Sequence, residues 1–428
     1  MHTRQQKYLP FLMWLFPLLF FAYQFILRLW PGLMMHQIME QLSIDASSFG
    51  LLAAFYYYGY AGMQIPVAML LDRFGARCII FISAVICGLS MLLSIYIDSF
   101  YLALLSRFLI GAGSAVGILG VSKVVSEWFP KSQYTKMIGL SITFGLLGAV
   151  YGGKPVSMLI KAYNWQSIAL ILASISILLG VVAYIIVRSP EKSNIEKGNE
   201  EEINVKHFTV LFSSPALWCL ALSNLLMVGA LEGFADVWGV PYLVAAHNFS
   251  KSDAAGIVTF IFLGMMFGGL VLAWFSKKFG SYPVLVICGL GMAFAFILLF
   301  LGNIYTWWAL AVLFFVIGIM CCYQLVIFAA GSDLVNSQYL GITIAFLNCV
   351  NMLGGSFFHT MIGKAMNFFW TGAVDSGGVK IYSLEAYKYA LSTIPICSAV
   401  GALVALVLGM QIRRKRGRPH LEKVLKKV

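Results

Sequence analysis

Long apolar runs recur along the whole chain, at roughly 9–34, 48–71, 79–97, 101–126, 137–160 and 166–187. They continue at roughly 214–243, 252–275, 283–302, 306–330, 340–363 and 387–411. Each is near or above the ~20 residues a helix needs to cross a bilayer. None shows the alternation of a membrane strand, so the pattern predicts a helical bundle rather than a barrel. With 61% hydrophobic and 11% charged residues, the chain has too little polar surface to clothe a soluble globule. The expected fold class is an all-α integral membrane protein with twelve transmembrane helices, and an even number of passes puts both termini on one side.

Orientation follows from the basic residues. With the N-terminus placed in the cytoplasm, the outer loops hold only Lys161, Lys251, Lys364, Lys380 and Lys388. Most of the other basic residues then fall on the inner side, the bias expected of cytoplasmic loops. The largest cluster is the tail RRKRGRPHLEKVLKKV, residues 413–428, which suits anionic lipid headgroups. Topology therefore explains most of the net charge of +12. No aromatic interleaving or binding motif accompanies these charges, so no nucleic-acid partner is expected. The first span is too long for a signal peptide and lacks a small-residue cleavage site, so it is read as retained.

The eight cysteines lie in or beside apolar runs without metal-type spacing and read as small core residues. No metal site and no cofactor are expected. HExxH, GxSxG, GxxxxGK[ST] and CxxC patterns are missing, which argues against a membrane enzyme or an ATP-driven pump. The stretch RSPEKSNIEKGNEEEINVKH, residues 188–207, is the one long charged segment. It divides the chain into a six-span half at 1–187, a cytoplasmic linker at 188–211, a second six-span half at 212–412 and the basic tail at 413–428. Two halves around a central cleft are an architecture of secondary transporters, with the substrate near the midplane.

Several segments resemble motifs of the major facilitator superfamily. AMLLDRFGAR (68–77) resembles that family's loop between helices 2 and 3 at Asp72, Arg73, Gly75 and Arg77, with Ala68 and Ala76 as departures. SRFLIGAGSAVG (106–117) resembles the helix 4 motif with its buried Arg107. GLLGAVYGGKP (145–155) resembles the Gly-rich helix 5 motif. AWFSKKFGSY (273–282) sits where the second half repeats the first motif, with Lys277 in place of an acid. The resemblance covers nearly the whole chain. It implies two six-helix bundles with pseudo-two-fold symmetry, alternating access and a monomer. It also assigns gating of the inner side to Asp72, Arg73, Gly75 and Arg77, with Asp72 meeting the start of the eleventh helix near Leu340 and holding the inner gate shut while the site faces outward. A narrower likeness, carried by FILRLWPGLMMHQIMEQL, VSEWFP, VWGVPYL and AFLNCVNMLGG, is to the Pht branch of bacterial amino-acid transporters and its siderophore-transporting relatives. That likeness implies nutrient uptake across a bacterial inner membrane.

The segment VGALEGFADVWGVPYL (228–243) sets Glu232 and Asp236 inside an apolar run. A charge at the bilayer centre costs at least ~2.5–3.5 kcal/mol, so such residues need partners or water. The intramembrane cations Arg28, Arg107, Lys123 and Lys154 all belong to the first half and both acids to the second, so facing positions meet across the cleft. Glu232 and Asp236 share a helix face at a spacing of four. Two carboxylates so close in a low-dielectric site do not easily both stay ionised. The pair is a candidate proton-coupling site, with Arg107 as relay or architectural residue; the alternative is an ion pair to Arg28 or Lys154. Arg28 and Lys154 are candidates for an anionic substrate group, Arg28 alternatively snorkelling to headgroups as expected for Lys123.

Tyr23, Gln24, Tyr57, Tyr58, Gln64, Tyr323, Gln324, Asn348 and Asn351 complete the candidate substrate site, each open to the alternative of an interhelical hydrogen bond. Tyr56 to Tyr60 cannot all face one cleft, because consecutive positions point in different directions. Cations in one half and acids in the other suit a zwitterion, an amino acid or short peptide carried with protons. A polycarboxylate siderophore or other organic anion would use Arg28, Arg107 and Lys154 together. From another class, a non-transporting membrane receptor or subunit predicts no gradient-driven flux.

Overall fold

The computed structural model describes residues 2–96, 98–188, 213–302, 304, 306–336 and 339–425; the side chains of 2–7 and 415–425 fall outside the description. The linker expected at 188–211, Arg188 apart, therefore lies outside the described residues, as do most side chains of the basic tail. Among the described residues the chain is built of helices, with one isolated bridge between Val374 and Lys380.

In the first half, α1 (His2–Leu33) is followed by the short α2 (Met35–Leu42) and by α3 (Ala46–Tyr96). Then come α4 (Phe100–Ser114) with α5 (Val116–Trp128), α6 (Lys131–Gly152) with α7 (Lys154–Ala162), and α8 (Trp165–Ile186). In the second half, α9 (Pro215–Met227), a π-helical segment (Gly229–Trp238) and α10 (Gly239–His247) form one pass. It is followed by α11 (Lys251–Phe279), α12 (Ser281–Leu301), α13 (Trp307–Cys321) with α14 (Tyr323–Ser332), α15 (Leu340–Phe368), α16 (Leu384–Leu391) and α17 (Thr393–Leu425).

Eleven helical stretches among the described residues are long and apolar enough to cross a membrane. One of them, α3, has 51 residues. At ~1.5 Å per residue that exceeds twice the ~30 Å hydrocarbon core. It breaks at Gly75, whose φ of 75° and ψ of 162° suit a residue without a Cβ. The described residues thus make twelve passes, and their first and last helices end on one face, the terminal face.

Apolar side chains face outward around the bundle, among them Leu178, Leu270, Ile287 and Val312. Such a surface suits lipid, not water. Inside, one continuous apolar core runs through both halves. The halves meet along α1 with the π-helical segment, α3 with α15, and α6 and α7 with α11. Between α3 and α15 the backbones nearly touch: a Cβ at Gly50 would lie 2.3 Å from the His359 carbonyl oxygen, and one at Gly363 2.4 Å from that of Ala46. The seventh pass is the most enclosed, and every residue of its π-helical segment is buried.

Candidate functional site

The π-helical segment carries Glu232 and Asp236. A π-helical stretch departs from the ordinary i→i−4 pattern and is frequent at functional sites. Here it presents both acids to Arg28 on α1. The Arg28 Nε donates to Asp236 Oδ2 at 2.5 Å, and a terminal nitrogen donates to Asp236 Oδ1 at 3.0 Å and lies 2.9 Å from Glu232 Oε2. The planar fork of arginine suits this two-point contact, which a lysine cannot make. Arg28 is 9% exposed and the acids 1% and 3%, so it is the buried partner of both acids rather than a snorkelling residue.

Tyr57 completes the cluster. Its hydroxyl lies 2.6 Å from Glu232 Oε2 and also against Asp236 Oδ2. A phenol has one proton to give, so it donates to one carboxylate at a time. The second contact is a hydrogen bond only when the facing carboxyl is itself protonated. Four side chains from three passes therefore form one hydrogen-bonded unit.

A cavity of about 620 Å³ ends at this unit, lined there by Arg28 and Glu232. It runs between the halves to Thr135 and Lys136, both exposed near the start of α6, so it opens toward the terminal face. Asp236 instead lines a separate void of about 20 Å³ with Gly32, Gly153 and Thr259, room for about one water. The two acids thus line different spaces, Glu232 the large cavity and Asp236 the small void.

On the face away from the termini, the halves are joined by ion pairs and packing. Lys154 reaches Asp253 at 3.4 Å, Lys380 reaches Asp45 at 3.4 Å, and the His36 Nε2 lies 2.7 Å from Asp375. The Ala46 N–H donates to the Tyr382 hydroxyl at 2.9 Å, and Phe49 packs edge-on against Trp238. The conformation is closed on this face and open on the terminal one.

The remaining expected residues divide. Gln24, Gln324 and Asn348 line the cavity with Arg28 and Glu232, as do Tyr56 and Tyr60. Tyr23 and Tyr323 do not line it: their hydroxyls donate to the carbonyls of Leu172 at 2.5 Å and Asn224 at 3.0 Å, so they tie helices together. Tyr58 is 39% exposed and packs on Phe55, on the outside of the bundle. Gln64 and Asn351 are buried off the cavity. Lys154 is half-exposed in its pair with Asp253, and Arg107 donates to the Leu27 carbonyl at 3.0 Å with its guanidinium over the Tyr56 ring. The three-cation site expected for a polycarboxylate is therefore not assembled here.

The gating residues lie on the open terminal face. Asp72 pairs with Lys123 at 2.8 Å within its own half rather than capping α15. That follows from the open terminal face, and it gives Lys123 a partner instead of a purely snorkelling role. Arg77 donates to the Tyr184 carbonyl at 2.6 Å, and Arg73 lies over Phe74. Sequence reasoning missed Asp45, Asp253 and Asp375 as closing residues. A signal existed for two of them: Asp45 and Asp253 sit in the helix-start patterns of Asp45–Ser48 and Ser250–Asp253, whose capping hydrogen bonds form.

The chain is similar to known transporters. The uncharacterized transporter YybO of Bacillus subtilis (strain 168) is 26% identical over 299 residues, 63% of this chain and 66% of that protein. The hexuronate transporter of the same organism is 26% identical over 275 residues, 59% of this chain and 63% of that protein. The matched region thus spans slightly less than two thirds of these relatives. The crystal structure of the nucleoside transporter NupG has a TM-score of 0.72 at 13% identity, covering 94% of this chain and 98% of that one, a likeness of fold. A family model, described as Major Facilitator Superfamily, matches residues 14–359. With that match over most of its length and twelve helical passes around a central cavity, the chain belongs to the Major Facilitator Superfamily.

Proposed function

We propose that the protein is a proton-coupled, alternating-access carrier that imports a small organic anion across a bacterial inner membrane, with both termini in the cytoplasm. The observation that carries this reading is that Arg28, at the blind end of the cavity, is held by both Glu232 and Asp236. A substrate carboxylate arriving there competes with these acids for the same guanidinium. Protonating one acid removes its claim on Arg28 and frees donors for the substrate, so proton and anion load together. After release to the terminal side, Arg28 returns to the acids, which favours their ionised form and proton release. The hexuronate transporter, a relative by sequence, is named for a carboxylate-bearing substrate class, which supports the anion reading.

Alternation would come from rocking of the halves about this cluster. The pairs at Lys154, Lys380 and His36 would part as the terminal face closes. Asp72 would then exchange Lys123 for the positive N-terminal end of α15, with Arg73, Gly75 and Arg77 shaping the same loop. The excess of Lys and Arg on the terminal face supports its cytoplasmic placement, the basic tail lying against anionic lipid.

A second reading is favoured by one observation. Arg28 and Glu232 line the same cavity, so an amino acid or short peptide would place its carboxylate on the first and its ammonium on the second. Proteoliposome uptake of labelled small carboxylates and amino acids, driven by an inward proton gradient, tests both. The carrier reading expects gradient-dependent uptake of one class, lost in Arg28→Ala. Unaltered proton coupling in both Glu232→Gln and Asp236→Asn would sink the role of the acids.

A further inference from the structure

Resting on the carrier reading above, we propose that the transported anion has a single carboxylate on an apolar, aromatic-compatible body rather than on a polyhydroxylated one. Among the described residues Arg28 is the one cation that lines the blind end of the cavity. Lys136 stands at the exposed mouth, and Arg107 and Lys154 lie off the cavity. One guanidinium already answering two carboxylates can satisfy one substrate carboxylate when the acids are protonated. A second carboxylate deep in the site would be buried without a cation, which is strongly unfavourable.

The walls set the nature of the rest of the molecule. Phe21, Phe25, Phe262, Met265, Met266 and Phe328 line the cavity from both halves. The Phe25 ring is 5.5 Å from the Arg28 guanidinium carbon, so apolar surface begins beside the charged end. Aromatic rings and polarizable thioethers accept a flat or branched apolar body and adapt to its shape. The volume of about 620 Å³ admits such a body.

Polar groups are fewer: besides Arg28, Glu232 and the residues of the mouth, the cavity lining offers Gln24, Tyr56, Tyr60, Thr143, Gln324 and Asn348. Gln24 is 4% exposed with its Oε1 unpartnered, and Gln324 has an unpartnered Nε2; both amides line the cavity. They can serve the carboxylate's neighbourhood or one hydroxyl. A sugar acid brings several hydroxyls against phenylalanine and methionine, and each one left unpaired costs on the order of tenfold in affinity. Selectivity between bodies with the same head group therefore comes from these walls.

The test is a ligand series on the purified full chain, read by thermal shift and by uptake in proteoliposomes: 3-phenylpropanoate, phenylalanine, D-glucuronate and succinate. The expected result is Arg28-dependent binding of 3-phenylpropanoate, with glucuronate and succinate at least tenfold weaker. Phenylalanine binding as well as or better than 3-phenylpropanoate keeps the apolar body and assigns the head group to the zwitterion form. Glucuronate or succinate binding as tightly as the phenyl acids, with Arg28→Ala still abolishing it, overturns this inference while the carrier reading stands. No Arg28-dependent binding of any of the four overturns both. Phe328→Asn and Met265→Gln should each narrow the preference for 3-phenylpropanoate over glucuronate at least threefold; an unchanged ratio in both overturns the role of the walls.

Discussion

Arg28 and Asp236, 208 positions apart, form a two-point ion pair with Arg28 Nε 2.5 Å from Oδ2 and a terminal nitrogen 3.0 Å from Oδ1. The pair joins the first pass to the seventh and fixes where the cavity ends. Removing one member of a buried pair leaves the other without compensation, at a cost of about 3–5 kcal/mol. Arg28→Ala should therefore lower stability by about that much. Arg28→Leu combined with Glu232→Gln and Asp236→Asn should recover most of it while remaining inactive, because the charges leave together. Unfolding of the detergent-solubilised variants checks this; equal stability of wild type and Arg28→Ala would show that the pair contributes nothing.

Glu232 and Asp236 face different spaces, the large cavity that reaches the terminal face and the small void beside Gly32 and Thr259. Their neutral variants should then differ in sidedness. Asp236→Asn is expected to blunt the response of transport to pH on the face away from the termini, and Glu232→Gln the response to pH on the terminal face. Proteoliposomes with the two pH values set separately would report this. Indistinguishable profiles for the two variants would count against a divided pair.

How much of this was legible beforehand depends on which force fixes each feature. The twelve passes were readable because lipid forces every spanning segment to be long, apolar and helical. The two runs at 48–71 and 79–97 were separable although they form one 51-residue helix, because Asp72, Arg73 and Arg77 interrupt the hydropathy around Gly75. The opposition of Arg28 to the two acids was readable because a buried charge demands a partner. The choice among consecutive tyrosines was not, since helix rotation alone decides that Tyr57 meets the acids while Tyr58 faces outward. Nor was the partner of Asp72, because it depends on which face is closed and not on composition.

The closed face should respond to acid through Asp45 and Asp375. For Asp45, burial works against ionisation, but the Ser48 N–H and hydroxyl and then Lys380 hold the carboxyl below its usual range. For Asp375, the Val379 N–H and then His36 do the same. A depressed carboxyl stabilises the state that pairs it at pH above its ordinary value of about 3.9, and that contribution is lost as pH falls through the depressed value. The Ser48 and Val379 contacts lie within one half and persist on opening, so the shares due to Lys380 and His36 are what act on closure, which should weaken as the two carboxyls protonate below about pH 4. Labelling of a cysteine introduced at Ala46, buried on the closed face beside Asp45, would follow it; labelling that falls at low pH would contradict the sign.

Lys154 and Asp253 are half-exposed, so their pair alone is weak. Its effect should appear as a shift between conformations rather than as loss of folding. Lys154→Glu places like charges together and should raise labelling of the face away from the termini, and Lys154→Glu with Asp253→Lys should restore it. Thermal stability should change little in either variant. Failure of the double variant to restore closure would assign the effect to the side chains' packing, with Gly256 beside the Lys154 stem as the first contact to examine.

The backbone contact of α3 with α15 offers a stricter test, because a carbonyl oxygen cannot move aside as a side chain can. A Cβ at Gly50 would meet the His359 carbonyl oxygen at 2.3 Å, and beyond it the Gly363 Cα at 3.2 Å. Gly50→Ala must push the two helices apart on the closed face while leaving each helix's own hydrogen bonds intact. Alanine is the better helix former by about 1 kcal/mol, so loss of local helix stability cannot be the cause of any defect. The expected outcome is a protein that folds and binds but stays open on the face away from the termini, with net uptake reduced at least tenfold. Cysteine accessibility on both faces, read alongside uptake, decides it: wild-type labelling together with wild-type uptake would show that this close approach is not needed for closure.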